Sequence, residues 1–253
     1  MKLALVLSGG AARGAFHLGI LAYLEDKNIE ISAYSGSSIG AIIACSHASG
    51  VKAREILEVF KSNEAKKTLK FNYLKKGLIK IDENTPLLDK LLPIKKLEDI
   101  PKKVFINAYD IKSKKLFYFN KGDTHKLCLA SSALSPVFSP VKYKNYEFID
   151  GGLFDNIPIK PLENQDYDIY SIDLMPRALV KNKDKTKNKK TFSPIKRIIK
   201  IMFVTRFKNA TYSIKHSKVY ITNEKLREIK MLTFNGLQET FDFGYKEASK
   251  YFS

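Results

Sequence analysis

Short apolar runs alternate with longer stretches of helical period along this chain. Residues 3–7 are wholly apolar, the pattern of a strand buried on both faces, and residues 15–27 carry helical periodicity. The same pair recurs as a strand over 31–35 and a helix over 39–49, stopped by Gly50. A further helix is expected over 52–61, and amphipathic, basic pieces over 65–100. Residues 104–109 and 115–119 read as a strand pair around Lys112-Ser113, and 141–149 alternates as a hairpin around Lys144-Asn145. Strands over 167–173 and 219–222 and a closing helix over 241–252 complete the pattern. Strand–helix alternation predicts an α/β fold, a mostly parallel central sheet flanked by helices.

Composition narrows the class without naming a function. With 253 residues, 44% hydrophobic and 28% charged, the chain matches an ordinary globular protein and excludes collagen-like and disordered classes. No run approaches the ~18 apolar residues of a spanning helix. The apolar run at 3–7 is too short for a signal-peptide core. Two cysteines, Cys45 and Cys128, cannot build a disulfide framework, so a reducing cytoplasm is the expected compartment. A single domain over 1–253 is expected.

Charge adds a question about partners. Forty-four Lys and Arg against 26 Asp and Glu give +18. Between Lys181 and Lys218 stand 13 basic residues and one acid, Asp184, so +12 of that excess lies in 38 residues. The part from 181 to about 192 is Lys-rich and reads as a solvated loop. Ser193-Pro194 then starts a helix whose stripe is Ile195, Ile198, Ile199, Met202 and Phe203. That stripe either packs on the body or, with the loop, contacts an anionic membrane surface. Its aromatics form no stacking module, so nucleic acid is not the expected partner.

Three short motifs carry the chemistry. Ser8-Gly9-Gly10-Ala11-Ala12-Arg13-Gly14 lies between a strand and a helix, where small residues expose consecutive N–H groups to an anion. It could cradle a phosphate or an oxyanion, and it lacks the Lys-Ser/Thr ending of a P-loop. Gly36-Ser37-Ser38-Ile39-Gly40 has the spacing of a nucleophile elbow with Ser38 at its centre, or else is a small-residue turn. Asp150-Gly151-Gly152 follows the hairpin and places a carboxylate on a tight turn.

Together and in this order, the three motifs resemble the patatin-like phospholipase family of lipid acyl hydrolases. The stretch 130–140 and Asn156-Ile157-Pro158 are similar to segments that family places before and after its Asp turn. The resemblance runs over about 3–173 and resumes near 219. It departs at Ser8, where Asp is common, and at Ala11, where a third Gly is common.

The resemblance implies a three-layer fold and a Ser–Asp dyad without histidine, cofactor or metal. Ser38 would attack an acyl ester of a phospholipid or lysophospholipid, and Asp150 would accept its proton. Gly9, Gly10 and Ala11 would line the oxyanion hole, with Arg13, Gly14, Gly36, Gly40, Gly151 and Gly152 supporting the motifs. Arg13 either braces the loop or binds a lipid phosphate. Asp110 and Asp155 are rival carboxylates. His216 is the one histidine after Asp150, in the order a Ser–Asp–His triad would need, but it stands outside any turn motif. A non-catalytic phosphate- or lipid-binding module that kept the Gly-rich loop is the alternative.

Overall fold

The computed structural model describes residues 2–65, 85–135, 138–176, 210–231 and 235–252. The Lys-rich loop at 181–192 and the helix expected from Ser193 lie outside them, as do residues 66–84.

Strands form where the sequence offers short apolar or alternating runs: β1 (Leu3–Leu7), β2 (Ile31–Gly36), β3 (Lys103–Asp110), β4 (Lys115–Phe119), β5 (Val141–Tyr143), β6 (Tyr146–Asp150), β7 (Asp168–Ile172) and β8 (Val219–Ile221). Among the described residues they make one sheet in the order β5-β6-β3-β2-β1-β7-β8, with β4 also paired to β3. The β3-β2-β1-β7-β8 part is parallel, and β4, β5 and β6 add an antiparallel wing.

The period-two alternation of a strand divides the core between two faces. Leu5 and Leu7 join one apolar cluster, while Ala4 and Val6 join the other. The first cluster lies under α1 (Gly14–Asp26), α2 (Ile39–Ala48) and α3 (Ala53–Lys61), with α4 (Pro86–Leu91) at its margin. The second is covered by Ile157, Ile159 and Leu162. Helices or loops on both faces give the three-layer α/β architecture that the alternation predicts.

Two helices differ from expectation. The closing helix α6 is Leu237–Ala248, starting four residues earlier than 241. Gly236 enters it at φ 78, a left-handed conformation that glycine adopts freely. At the α1–α6 crossing, a Cβ on Gly19 would stand 2.0 Å from the Phe241 carbonyl oxygen, so the backbones touch. The helix α5 (Thr124–Ser131) was not expected at all. It is buried nearly all round, which erases the polar face that periodicity detects. Its one local signal is Asp123, whose carboxylate caps the Lys126 N–H at 2.8 Å.

Candidate active site

The topology brings the three motifs to one edge. Strand β1 has β2 on one side and β7 on the other, so the chain order reverses there, and open α/β sheets bind ligands beyond the carboxyl ends of strands at such a point. The Gly-rich loop follows β1 and the elbow follows β2. The loop after β7 is stitched to the first, since Leu174 N–H donates to Ser8 Oγ at 2.9 Å.

Asp150 arrives there from the opposite direction. Ile106 of β3 pairs with both Gly36 of β2 and Phe119 of β4, so β2 and β4 flank β3 on opposite sides. Ala108 pairs with Phe117 of β4 and with Asp150 of β6, so β6 lies on the β2 side. The antiparallel β6 therefore meets the end of β2 head-on, with Asn107 between the residues opposite Gly36 and Asp150. A hairpin strand thus aims its last residue at the elbow of a parallel strand.

The elbow itself is strained. Ser38 has φ 54 and ψ −126, a conformation L-residues avoid and that costs on the order of 1–3 kcal/mol. It is held by crowding on both sides. A Cβ on Gly40 would lie 2.2 Å from the Leu7 carbonyl oxygen, and one on Gly36 would lie 2.5 Å from the Gly40 carbonyl oxygen. Ser38 N–H donates to Ser131 Oγ at the end of α5 at 2.9 Å. Ser38 is half-buried and precedes α2, whose positive end faces it, whereas Ser37 is fully buried.

Asn156 ties the Gly-rich loop to the Asp turn. Its Oδ1 accepts from Gly9 N–H at 3.1 Å and its Nδ2 donates to Gly9 O at 3.3 Å. Asp150 Oδ1 accepts from Gly152 N–H at 2.7 Å, which fixes the carboxyl on its turn. The packing is tight throughout: a Cβ on Gly9 would sit 3.0 Å from Ser38 Cβ, and one on Gly152 would sit 2.8 Å from Ser37 Oγ and 3.0 Å from Asp150 Oδ1. Of the three N–H groups expected in an oxyanion hole, that of Gly9 is turned to Asn156. Those of Gly10 and Ala11 make no hydrogen bond among the described residues. Ala11 sits at φ 51, a left-handed conformation in which glycine would be relaxed.

A family model described as Patatin-like phospholipase matches residues 5–163. The chain belongs to this family. An uncharacterized NTE family protein of Mycobacterium tuberculosis is 25% identical over 171 residues, covering 66% of this chain and 47% of that protein. Lysophospholipase NTE1 of Cryptococcus neoformans is 30% identical over 200 residues, covering 68% of this chain and 11% of that protein. The patatin-like chain thus spans about half the length of its mycobacterial relative and a small part of the fungal one. The crystal structure of VipD from Legionella pneumophila overlays with a TM-score of 0.61 at 14% identity, over 98% of this chain and 66% of that one. That likeness is one of fold.

Arg13, His17, His216, Asp155 and Asp110 each have partners of their own in this patatin-like fold. The Arg13 guanidinium donates to the carbonyls of Ile229, Leu174 and Arg227 at 2.9, 3.2 and 3.3 Å, so it braces the loop rather than facing a lipid phosphate. His17 is fully buried and its Nε2–H donates to Ser8 O at 2.9 Å. Burial lowers its pKa to about 4 despite that bond, so the ring is neutral at pH 7. His216 is exposed, stacks on Tyr212 at 4.1 Å and reaches the Tyr212 carbonyl at 2.8 Å. Asp155 accepts from Tyr118 O–H at 2.5 Å, and burial pushes its carboxyl up to about 6 against that bond. Asp110 ties two turns, as described below. Among the described residues no helix is long and apolar enough to cross a membrane.

Ser131 and Asn156 were not singled out by the sequence. Asn156 lies in a quoted segment but had no role there, because the partner that gives it one is 147 positions away.

Proposed function

We propose that the chain is a serine acyl hydrolase that cleaves acyl esters of lipids, phospholipid or lysophospholipid, through a Ser38–Asp150 dyad and an acyl-enzyme. The observation that carries this reading is the backbone of Ser38: a strained elbow before a helix, beside the Gly-rich loop and the Asp150 turn. Family membership supports lipid hydrolysis, and the NTE1 relative is named a lysophospholipase.

In this reading Ser38 Oγ attacks the acyl carbonyl while Asp150 accepts its proton and returns it to the departing alcohol oxygen as the ester C–O bond breaks. Water, losing its proton to Asp150, then hydrolyses the acyl-enzyme and frees the fatty acid. The N–H groups of Gly10 and Ala11 meet the developing oxyanion, a role in which loss of one donor elsewhere costs ~10²–10³ in rate. The positive end of α2 adds to that field. A carboxylate is a weaker base than imidazole, so esters and thioesters suit the site better than amides. The basic stretch 181–218 would approach an anionic membrane that holds the substrate.

Labelling with a fluorophosphonate probe and lipid profiling test the proposal. Wild type is expected to label at Ser38 and to release fatty acid. Ser38→Ala and Asp150→Asn are each expected to abolish turnover, and His216→Ala to keep most of it. Turnover surviving in Ser38→Ala rejects the nucleophile, and loss in His216→Ala alone restores a triad. A folded wild type that binds lipid but never labels is the binding module instead.

A further inference from the structure

The antiparallel wing ends in two neighbouring hairpin tips. Residues 111–114 join β3 to β4, and residues 144–145 join β5 to β6. Asp110 locks them together: its carboxylate accepts from Ser113 N–H at 2.7 Å in one tip and from Glu147 N–H at 2.8 Å beside the other. Ile111 N–H also donates to Glu147 O at 3.0 Å. Burial works against the charge on Asp110, but these hydrogen bonds outweigh it and hold the carboxyl at about 2. This rival carboxylate is therefore a permanent anionic tie between the tips.

The outer surface of the tips has an unusual mixture. Lys112, Lys114, Lys115, Lys142 and Lys144 are all exposed. Among the described residues Lys112 is paired with Glu147, at 3.9 Å, and the other four have no acidic partner. Between them stand Ile111 and Tyr146, 39% and 37% exposed, two of the three exposed large apolar side chains among the described residues. The aromatic rings beneath are taken up by one another, with Phe117 5.1 Å from Tyr146 and Phe119 5.4 Å from Phe148.

Direction gives this surface its meaning. Strand β3 runs parallel to β2 and passes the level of Gly36 at Ile106. It then continues to Ile111, roughly 16 Å further at ~3.3 Å per residue. The tips stand ahead of the elbow on the carboxyl edge of the sheet, the edge that carries the candidate active site. A flat surface touched by the tips would lie across that edge.

We propose that these two tips are a docking surface for an anionic lipid bilayer, with Ile111 and Tyr146 in the interfacial layer and Lys114, Lys115, Lys142 and Lys144 on the head groups. Exposed tyrosine and aliphatic side chains between lysines suit the boundary of a bilayer, where ring and alkyl leave water while ammonium groups stay in it. A polynucleotide would use the lysines but has no use for Ile111, and the rings of Phe117, Phe119 and Phe148 lie against one another rather than open to bases. None of this surface's residues belongs to the stretch 181–209, and it adds a docking mode to the proposed hydrolase without depending on catalysis.

The test is co-sedimentation of the full chain, carrying Ser38→Ala so that lipid is not consumed, with phosphatidylcholine vesicles with and without phosphatidylglycerol. Each lysine near an anionic surface contributes about fivefold. The triple variant Lys114→Gln, Lys142→Gln, Lys144→Gln is therefore expected to partition about a hundredfold more weakly onto the anionic vesicles. Ile111→Ser is expected to lose severalfold. The basic stretch 181–190 is intact in every arm, and an unchanged melting temperature establishes folding. A folded triple variant that partitions like its parent overturns the proposal, as does equal binding to pure phosphatidylcholine. Single-stranded RNA that binds more tightly than the vesicles, with the same lysine dependence, assigns the surface to polynucleotide instead. Binding that holds while Ser38 of the wild type never labels would refute the hydrolase and leave the docking surface standing.

Discussion

Ser38 stores free energy in its backbone, and that energy can be measured. Its φ of 54 and ψ of −126 cost on the order of 1–3 kcal/mol for a residue with a Cβ. Glycine has no such penalty, but it loses about 0.5–1 kcal/mol more chain entropy on folding. Ser38→Gly is therefore expected to be more stable than Ser38→Ala by about 1 kcal/mol, and by no more than about 2.5. Alanine is the right reference because it removes Oγ and keeps the strain. Both variants keep the main-chain N–H that Ser131 Oγ holds. At about 2.1 cal/mol/K of unfolding entropy per residue, 253 residues give roughly 0.5 kcal/mol per degree. The expected difference is thus about 2 °C, with a ceiling near 5 °C, read by calorimetry on the two variants side by side. Neither is expected to hydrolyse ester. A Ser38→Gly protein that melts at or below Ser38→Ala would show that the elbow is unstrained, and with it the main support for Ser38 as nucleophile would go.

Two further outcomes follow from the contacts around the elbow. Asn156→Ala removes both hydrogen bonds to Gly9 from a buried site, and is expected to cost about 2–3 kcal/mol by urea unfolding and to lower kcat at least tenfold. A kcat within twofold of wild type would show that the clamp does not position the loop. Asp155 has its carboxyl raised from 3.8 to about 6, so its contribution is fully present below pH 3.8 and is lost as pH rises through 6. Asp155→Asn is therefore expected to gain about 2.4 kcal/mol relative to wild type between pH 4 and pH 8, whereas a difference independent of pH would refute the assignment.

The elements legible in the sequence were those whose physics is local. A strand buried on both faces reads as an apolar run, as at Leu3–Leu7, and a hairpin reads as alternation around polar turn residues, as at Lys144-Asn145. The glycines of the elbow were legible too, because the spacing that lets Gly36 and Gly40 pass within touching distance of main chain is fixed over five residues. What stayed hidden depends on partners remote in the chain. Arg13 and Asn156 acquire their roles from carbonyls and amides more than 140 positions away. Helix α5 concealed itself by being buried nearly all round, and the role of Ser131, inside the cited stretch 130–140, was concealed with it.

The same contrast explains how the proposed Ser38–Asp150 dyad would be assembled from a strand that belongs to the antiparallel wing. In an all-parallel sheet every strand brings its carboxyl end to the same edge, and a carboxylate facing the nucleophile would have to come from a neighbouring loop. Here β2 stops at Gly36 while β3 runs on to Asp110, leaving a vacant lane beside β3. Strand β6 fills that lane from the other end, and its last residue, Asp150, is set by sheet register rather than by loop conformation. Register is fixed because a slip of one residue would turn Phe148, buried against Ala108 and Ala130, to the opposite face. The hydrophobic pattern of a five-residue strand therefore determines where the carboxylate of this patatin-like site stands, and a substitution such as Phe148→Asp would be felt first at Asp150.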